Sequence, residues 1–358
     1  MAHLLKIPLE LRQEIFYWVI CSLVEPPESP VSEQEHRQRL PYGEYVSRGI
    51  WNEWDFLRRG IWHRAPTNPA LSLLQLNKQI HDEVSHFLRH TPTDCDVDIM
   101  YVKESGLWPT WSISKLPQTQ YIDSVRATFR IFNPPEDLGD QFRYRSTWSR
   151  MMCHSPTFHT VFYGLLTAFL KRGPGLLDRT HPEDDDSIAP RYIVRKIFID
   201  IVAPTDGTQH TSILMDESRY PKGGSARHLR YTYGDHDDVD TPPEERLASH
   251  LSKQLENLLF VQFWCYEFMH LMIIYEQVAE EFIFTVNGEE FKRVSMEDSF
   301  QKLKQEFFPP NLEDLDVTER TTGYWVWGNW VEERRRRMKK GLELDNRRPA
   351  GVESFYQQ

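Results

Sequence analysis

A strict alternation restricts the fold of this chain more than any other feature. In Ile122–Phe132, Val125, Ala127, Phe129 and Ile131 fall on one side, while Arg126, Thr128 and Arg130 fall on the other. Side chains of an extended strand point alternately to opposite faces, so the pattern predicts a strand with one apolar and one polar face. Asp96–Val102 alternates with β-forming residues, and Tyr192–Val202 places Ile193, Ile197, Ile199 and Ile201 together. Three half-buried strands are therefore expected. Between the last two lies a helix pattern: Ser155 caps it, Pro156 starts it, and Phe158, Phe162, Leu165 and Phe169 line it. Lys171-Arg172-Gly173-Pro174 ends it. A strand–helix–strand order of this length suits a crossover unit, although the order alone leaves the pairing open.

Helical spacing dominates the N-terminal part. Pro8 and Glu10 suit the first turn of a helix in which Leu11, Ile15 and Val19 form one apolar stripe, ending before Pro26-Pro27. Residues 25–48 are polar and proline-rich, and are expected to form an exposed insertion. Trp51, Trp54, Phe56, Leu57, Ile61 and Trp62 suggest a short packed helical piece. Asn68-Pro69 opens a helix running to about Arg89 through Leu73, Leu76, Ile80, Val84 and Phe87. Beyond the strands, residues 174–190 and 203–245 read as loops. A long helix is expected from Pro242-Pro243-Glu244 to about Val278, then a short strand Phe282–Val286 before an Asn287-Gly288 hairpin-type turn. Met296–Phe308 reads as a further helix, and a tail bearing Trp325, Trp327 and Trp330 follows Pro309-Pro310. No repeat of solenoid or propeller length is present.

Charge and cysteine usage narrow the functional classes. A formal net charge of −11 and a pI near 5.7 disfavour binding to nucleic acid or anionic membranes. Cys21, Cys95, Cys153 and Cys265 are widely spaced and read as reduced thiols of an intracellular protein, cytoplasmic or nuclear. Met1–Ile20 carries Glu10, Arg12 and Glu14 and reads as an amphipathic helix, not a signal peptide. Leu258–Tyr275 approaches the length of a membrane span but contains Gln262, Glu267 and His270. A charge at mid-span costs about 2.5–3.5 kcal/mol, so a helix buried in a soluble protein is expected.

Two segments carry a family likeness. The first is Leu4-Leu5-Lys6-Ile7-Pro8-Leu9-Glu10-Leu11-Arg12-Gln13-Glu14-Ile15-Phe16, and the second is Leu73-Leu74-Gln75-Leu76-Asn77-Lys78-Gln79-Ile80-His81-Asp82-Glu83-Val84. Together they resemble the fungal F-box-like pattern L-P-x-E-L-R-x-x-I followed by L-x-x-N-x-x-I-x-x-E. The resemblance implies a small helical module that docks on a Skp-type adaptor of a cullin ubiquitin ligase. On that reading Pro8, Leu9, Leu11, Ile15 and Phe16 line the docking face. A standard F-box is compact, whereas an insertion separates the two helices here. Without the resemblance, Leu11, Ile15, Val19 and the stripe from Leu73 to Phe87 read as ordinary core.

Chemistry-bearing motifs are sparse. The phosphate-cradling, dinucleotide-binding and nucleophile-elbow patterns are absent from the sequence. Cys153-His154 with His159 lacks a second cysteine at zinc spacing. Asp235–Asp240 has Asp240 and Arg246 where a calcium loop needs Gly and Glu. Asp184-Asp185-Asp186 reads as a solvated loop. Glu267 and His270 form a possible acid–base pair, with a satisfied buried hydrogen bond as the plainer reading. The run Arg334, Arg335, Arg336, Arg337, Met338, Lys339, Lys340 is a candidate nuclear-import patch. It could equally be a solvated helix in which Glu332 and Glu333 pair with Arg336 and Arg337.

The expectation is an α+β protein. An N-terminal helical F-box-like module over 1–90, with an inserted loop at about 25–66, precedes a mixed domain over 91–310 with a small sheet and several helices. A Trp-rich, basic tail occupies 311–358. The expected function is non-catalytic protein–protein recognition without cofactor, metal or membrane, as a ubiquitin-ligase adaptor. A structural or nuclear interaction protein outside any ligase is the first alternative, and an enzyme using Glu267 and His270 the second.

Overall fold

The computed structural model describes residues 4–20, 25–40, 60–64, 69–90, 93–103, 105–113, 120–142, 158–176, 192–204, 241–260, 268–307, 319–350 and 352. It combines helices with a mixed sheet. The N-terminal helices are α1 (Leu9–Ile20), a short α2 (Pro30–Glu33), α3 (Pro69–Leu74) and α4 (Lys78–His90). The helices α5 (Phe158–Arg172), α6 (Pro243–Leu258), α7 (Phe268–Gln277), α8 (Met296–Phe307) and α9 (Glu319–Lys339) follow. The strands are β1 (Gln38–Arg39), β2 (Gly60–His63), β3 (Asp94–Val102), β4 (Gly106–Ile113), β5 (Tyr121–Phe132), β6 (Ile193–Val202), β7 (Val278–Val286) and β8 (Glu289–Ser295).

All eight strands join one sheet in the order β1-β2-β4-β3-β5-β6-β7-β8. Its centre, β3, β5, β6 and β7, is parallel, and β4 and β8 run antiparallel to β3 and β7. The alternation read from the sequence sets the register. Val97, Ala127, Ile199 and Phe284 line up across the parallel strands, and so do Asp98, Thr128, Asp200 and Thr285. A one-residue slip would exchange these two rows between the faces.

Topology explains why the faces differ. The chain advances from β5 through α5 to β6, then through α6 and α7 to β7, always in the same direction across the sheet. Crossovers that advance without reversing direction stack on one face when each has the usual right hand. The main core accordingly joins residues of α5, α6, α7, α8 and α9 to strand residues that include Val97, Phe129, Ile199 and Phe282. The opposite face holds a smaller aromatic cluster at its β2–β4–β3 end, around Trp62, Trp108 and Phe142. Elsewhere that face carries cross-strand ion pairs: Arg130 grips Asp98 through two bonds of 2.6 Å, and Lys196 meets Glu281 at 3.0 Å.

Several expectations are corrected. The insertion at about 25–66 is not simply an exposed loop. Its β1 and β2 extend the sheet, placing Ile61 and Trp62 on a strand instead of a helical piece. Arg37 is buried, donating to the Trp62 carbonyl at 3.1 Å and to Thr110 Oγ1 at 2.5 Å. Burial lowers its pKa to about 10. Arg130 also donates to the Pro27 carbonyl at 2.8 Å, binding the insertion to the charged face. The helix read from Asn68 breaks into α3 and α4, because Asn77 Oδ1 accepts the Ile80 amide at 3.0 Å and caps a new start. The long helix from Pro242 becomes α6 and α7, with residues 261–267 outside the described residues. Strand β7 begins directly at Val278, after the last residue of α7. Among the described residues no helix is long and apolar enough to cross a membrane.

The C-terminal segment is not a tail. Trp327 and Val331 of α9 are fully buried in the main core. The last carbonyls of a helix have no partner within it, and here α7 passes directly into β7. Arg335 donates to the carbonyls of Tyr275 (3.2 Å), Val278 (2.8 Å) and Ala279 (3.0 Å), and Arg334 donates to that of Glu276 (3.0 Å). The buried Glu276 carboxylate receives Trp327 Nε1 at 3.0 Å and Arg348 Nη2 at 2.6 Å, closing the corner.

Candidate docking surface

Helix α1 is apolar on two sides. Arg12, Phe16 and Ile20, at four-residue spacing, face inward. Phe16 and Ile20 pack with Leu73, Ile80, Val84 and Leu88 of α3 and α4 in an apolar cluster separate from the main core. The opposite side carries Leu11, Ile15 and Trp18, spaced i, i+4 and i+7 along one helical stripe. Leu11 is 51% exposed, Trp18 65% exposed, and Ile15 is half-buried. Leu5, Leu9, Tyr17, Val19 and Leu76 are also exposed, whereas Phe291 and Leu342 are the only exposed large apolar residues among the described residues outside the module. Scattered exposed leucines are ordinary, whereas here seven of the nine exposed large apolar residues among the described residues fall on this one module.

This arrangement divides the residues expected to dock. Pro8, Leu9 and Leu11 are exposed and Ile15 is half-buried, so these four remain accessible, Leu9 at the start of the helix and Leu11 and Ile15 along its outward stripe. Phe16 is 0% exposed and forms the centre of the module instead. The correction follows from helical geometry: Phe16 lies five residues after Leu11, which turns it through more than a quadrant relative to the Leu11–Ile15 line.

The motif that carries the family likeness builds the module more than it builds the face. Arg12 and Glu83 come from its two separated halves and form a bidentate pair, Nε to Oε2 at 2.8 Å and Nη2 to Oε1 at 2.7 Å. This bond holds the Glu83 carboxyl below the usual glutamate range. Arg12 also donates to the Leu5 carbonyl at 3.3 Å and to the Ile7 carbonyl. Asn77 caps α4 and Ile80 fills the core. Each of these residues therefore has a local structural role. Trp18, the most exposed member of the stripe, lay outside the sequence pattern; its i+7 relation to Leu11 was the available signal.

The other candidates resolve differently. Arg334 and Arg335 are buried at the α7–β7 corner and are not part of an accessible basic patch. Arg336 pairs with Glu333 at 2.7 Å, Arg337 donates to the Glu343 carbonyl at 2.7 Å, Lys339 meets Glu297 at 2.9 Å, and Lys340 is exposed. A linear import signal needs its cations free together, and burial of two of the arginines removes that arrangement. Glu332 bonds Lys304 at 2.7 Å, not the arginines. Glu267 lies outside the described residues, as do Cys153, His154, Asp184–Asp186 and Asp235–Asp240. His270 is buried, 2.6 Å from Thr167 Oγ1, and burial lowers its pKa to about 3. Among the described residues no acidic, histidine or cysteine group could hold a metal ion.

Comparison with family models, curated proteins and solved structures finds no match to this chain.

Proposed function

We propose that the outward side of α1 is a protein-docking surface and that its partner is a helix of a Skp-type adaptor, which would make the chain a substrate-recognition subunit of a cullin ubiquitin ligase. The observation that carries docking is the two-sided apolarity of α1, of which the other described residues bury the side of Phe16 and Ile20 and leave Leu11 51% exposed. Completing the burial of Leu11 and Trp18 would contribute roughly 1–2 kcal/mol each from apolar area. A groove on a partner, receiving Leu11, Ile15 and Trp18 as i, i+4 and i+7 anchors, is the matching recognition mode. The choice of adaptor rests on the likeness of the two N-terminal segments to F-box-like proteins.

A second reading keeps the docking surface but drops the ligase. It is favoured by the structural roles of Arg12, Asn77, Ile80 and Glu83, because a motif that builds a fold does not name its partner. Co-elution of the purified chain with a purified Skp-type adaptor separates the two. The first reading expects a complex that Leu11→Asp with Trp18→Ala abolishes; absence of any complex with the folded wild-type chain removes it and leaves the second.

A further inference from the structure

Residues 4–8 precede α1 and include the exposed Leu5 and Pro8. Leu4–Lys6 forms a 3-10 turn, closed by the Ile7 amide on the Leu4 carbonyl at 3.2 Å. A turn this short supplies few bonds of its own, so external contacts must set its attitude. Leu4 gives an apolar one, packing at the edge of the Phe16 cluster. Arg12 gives the polar ones. Its guanidinium is buried between the turn and α4, and its nitrogens divide between Glu83 and the carbonyls of Leu5 and Ile7. Glu83 is itself oriented by Gln79 Nε2 at 2.9 Å. A planar guanidinium with five donors can serve both carboxylate oxygens and two carbonyls together, four acceptors against the three donors of an ammonium.

We infer that Arg12 is a positioning residue for the docking surface, an inference that rests on the docking reading above: it fixes the turn so that Leu5, Pro8 and Leu9 keep a set attitude to Leu11 and Ile15. The two ends of the Arg12 interaction separate in two conservative variants. Arg12→Lys keeps a cation beside Glu83 but loses the fork to the carbonyls. Glu83→Gln removes the ion pair but leaves Arg12 free to hold the turn.

The experiment compares amide hydrogen exchange of residues 5–7, and affinity for a purified Skp-type adaptor, in the wild type and both variants. Arg12→Lys is expected to speed exchange in the turn and weaken binding by about tenfold, with α1 and α4 still protected, while Glu83→Gln changes both far less. Equal effects of the two variants would show that the pair only joins α1 to α4, and would overturn the inference. A loosened turn with undiminished binding would overturn it as well. Failure of the wild-type chain to bind the adaptor removes the docking reading and this inference with it. Unchanged exchange in Arg12→Lys removes the inference alone.

Discussion

His270 makes the stability of the main domain sensitive to mild acid. Its imidazole is fully buried among α5, α6 and α7, with Nδ1 2.6 Å from Thr167 Oγ1 and its ring beside Tyr163, and burial together with the charge of Lys171 lowers its pKa from 6.5 to about 3. The folded chain therefore keeps this histidine neutral where the unfolded chain protonates it. Stability is full above the unfolded pKa and is lost as pH falls from about 6.5 toward 3. Each pKa unit is worth about 1.4 kcal/mol, so at pH 5 this one group costs about 2 kcal/mol relative to neutral pH. Denaturant midpoints of the wild type and His270→Gln, measured from pH 7.5 to 4.5, isolate the effect, because Gln can still bond Thr167 but does not titrate. The variant should lose about 2.7 kcal/mol less between those two pH values, two pKa units at about 1.4 kcal/mol each. Parallel pH profiles would refute the assignment of a neutral, desolvated His270.

Other predictions use the same equilibrium unfolding. Phe16→Ala should cost about 3–5 kcal/mol in the N-terminal module, because Phe16 is fully buried, whereas Leu11→Ala, at a 51% exposed position, should change stability by no more than about 0.5 kcal/mol. Arg335→Ala should cost about 3 kcal/mol, because it strands the buried carbonyls of Tyr275, Val278 and Ala279; Arg336→Ala, with its pair at the surface, should be near neutral. Gln277 is fully buried with neither amide atom bonded among the described residues, so Gln277→Met should raise the melting temperature, in line with a gain of about 1 kcal/mol or more.

The parts of this fold legible in the sequence are those with local periodicity. The alternation in Ile122–Phe132 and Tyr192–Val202 identified β5 and β6 nearly to the residue, and Asn287-Gly288 marked the β7–β8 turn, where both residues adopt positive φ (51° and 83°). What was missed depends on partners distant in sequence. Arg334 and Arg335 look like surface cations until the α7–β7 corner supplies carbonyls that need donors. Ile61 and Trp62 look helical in an aromatic segment until Gly60 and Ile61 pair with Gly106 and Leu107. On α1, Leu11 and Ile15 stood out as an apolar stripe, but which apolar side would be covered could not be read from α1 alone. That choice is made by Phe16 and Ile20 meeting Ile80 and Val84, and by Arg12 meeting Glu83 across the insertion.

Calorimetric titration of a purified Skp-type adaptor into the folded chain, at several temperatures, tests the central claim most directly. The account predicts saturable binding with a negative heat-capacity change, the signature of apolar burial, and its loss in Leu11→Asp without loss of folding. No binding heat at any temperature, or an isotherm unchanged by Leu11→Asp, would contradict it.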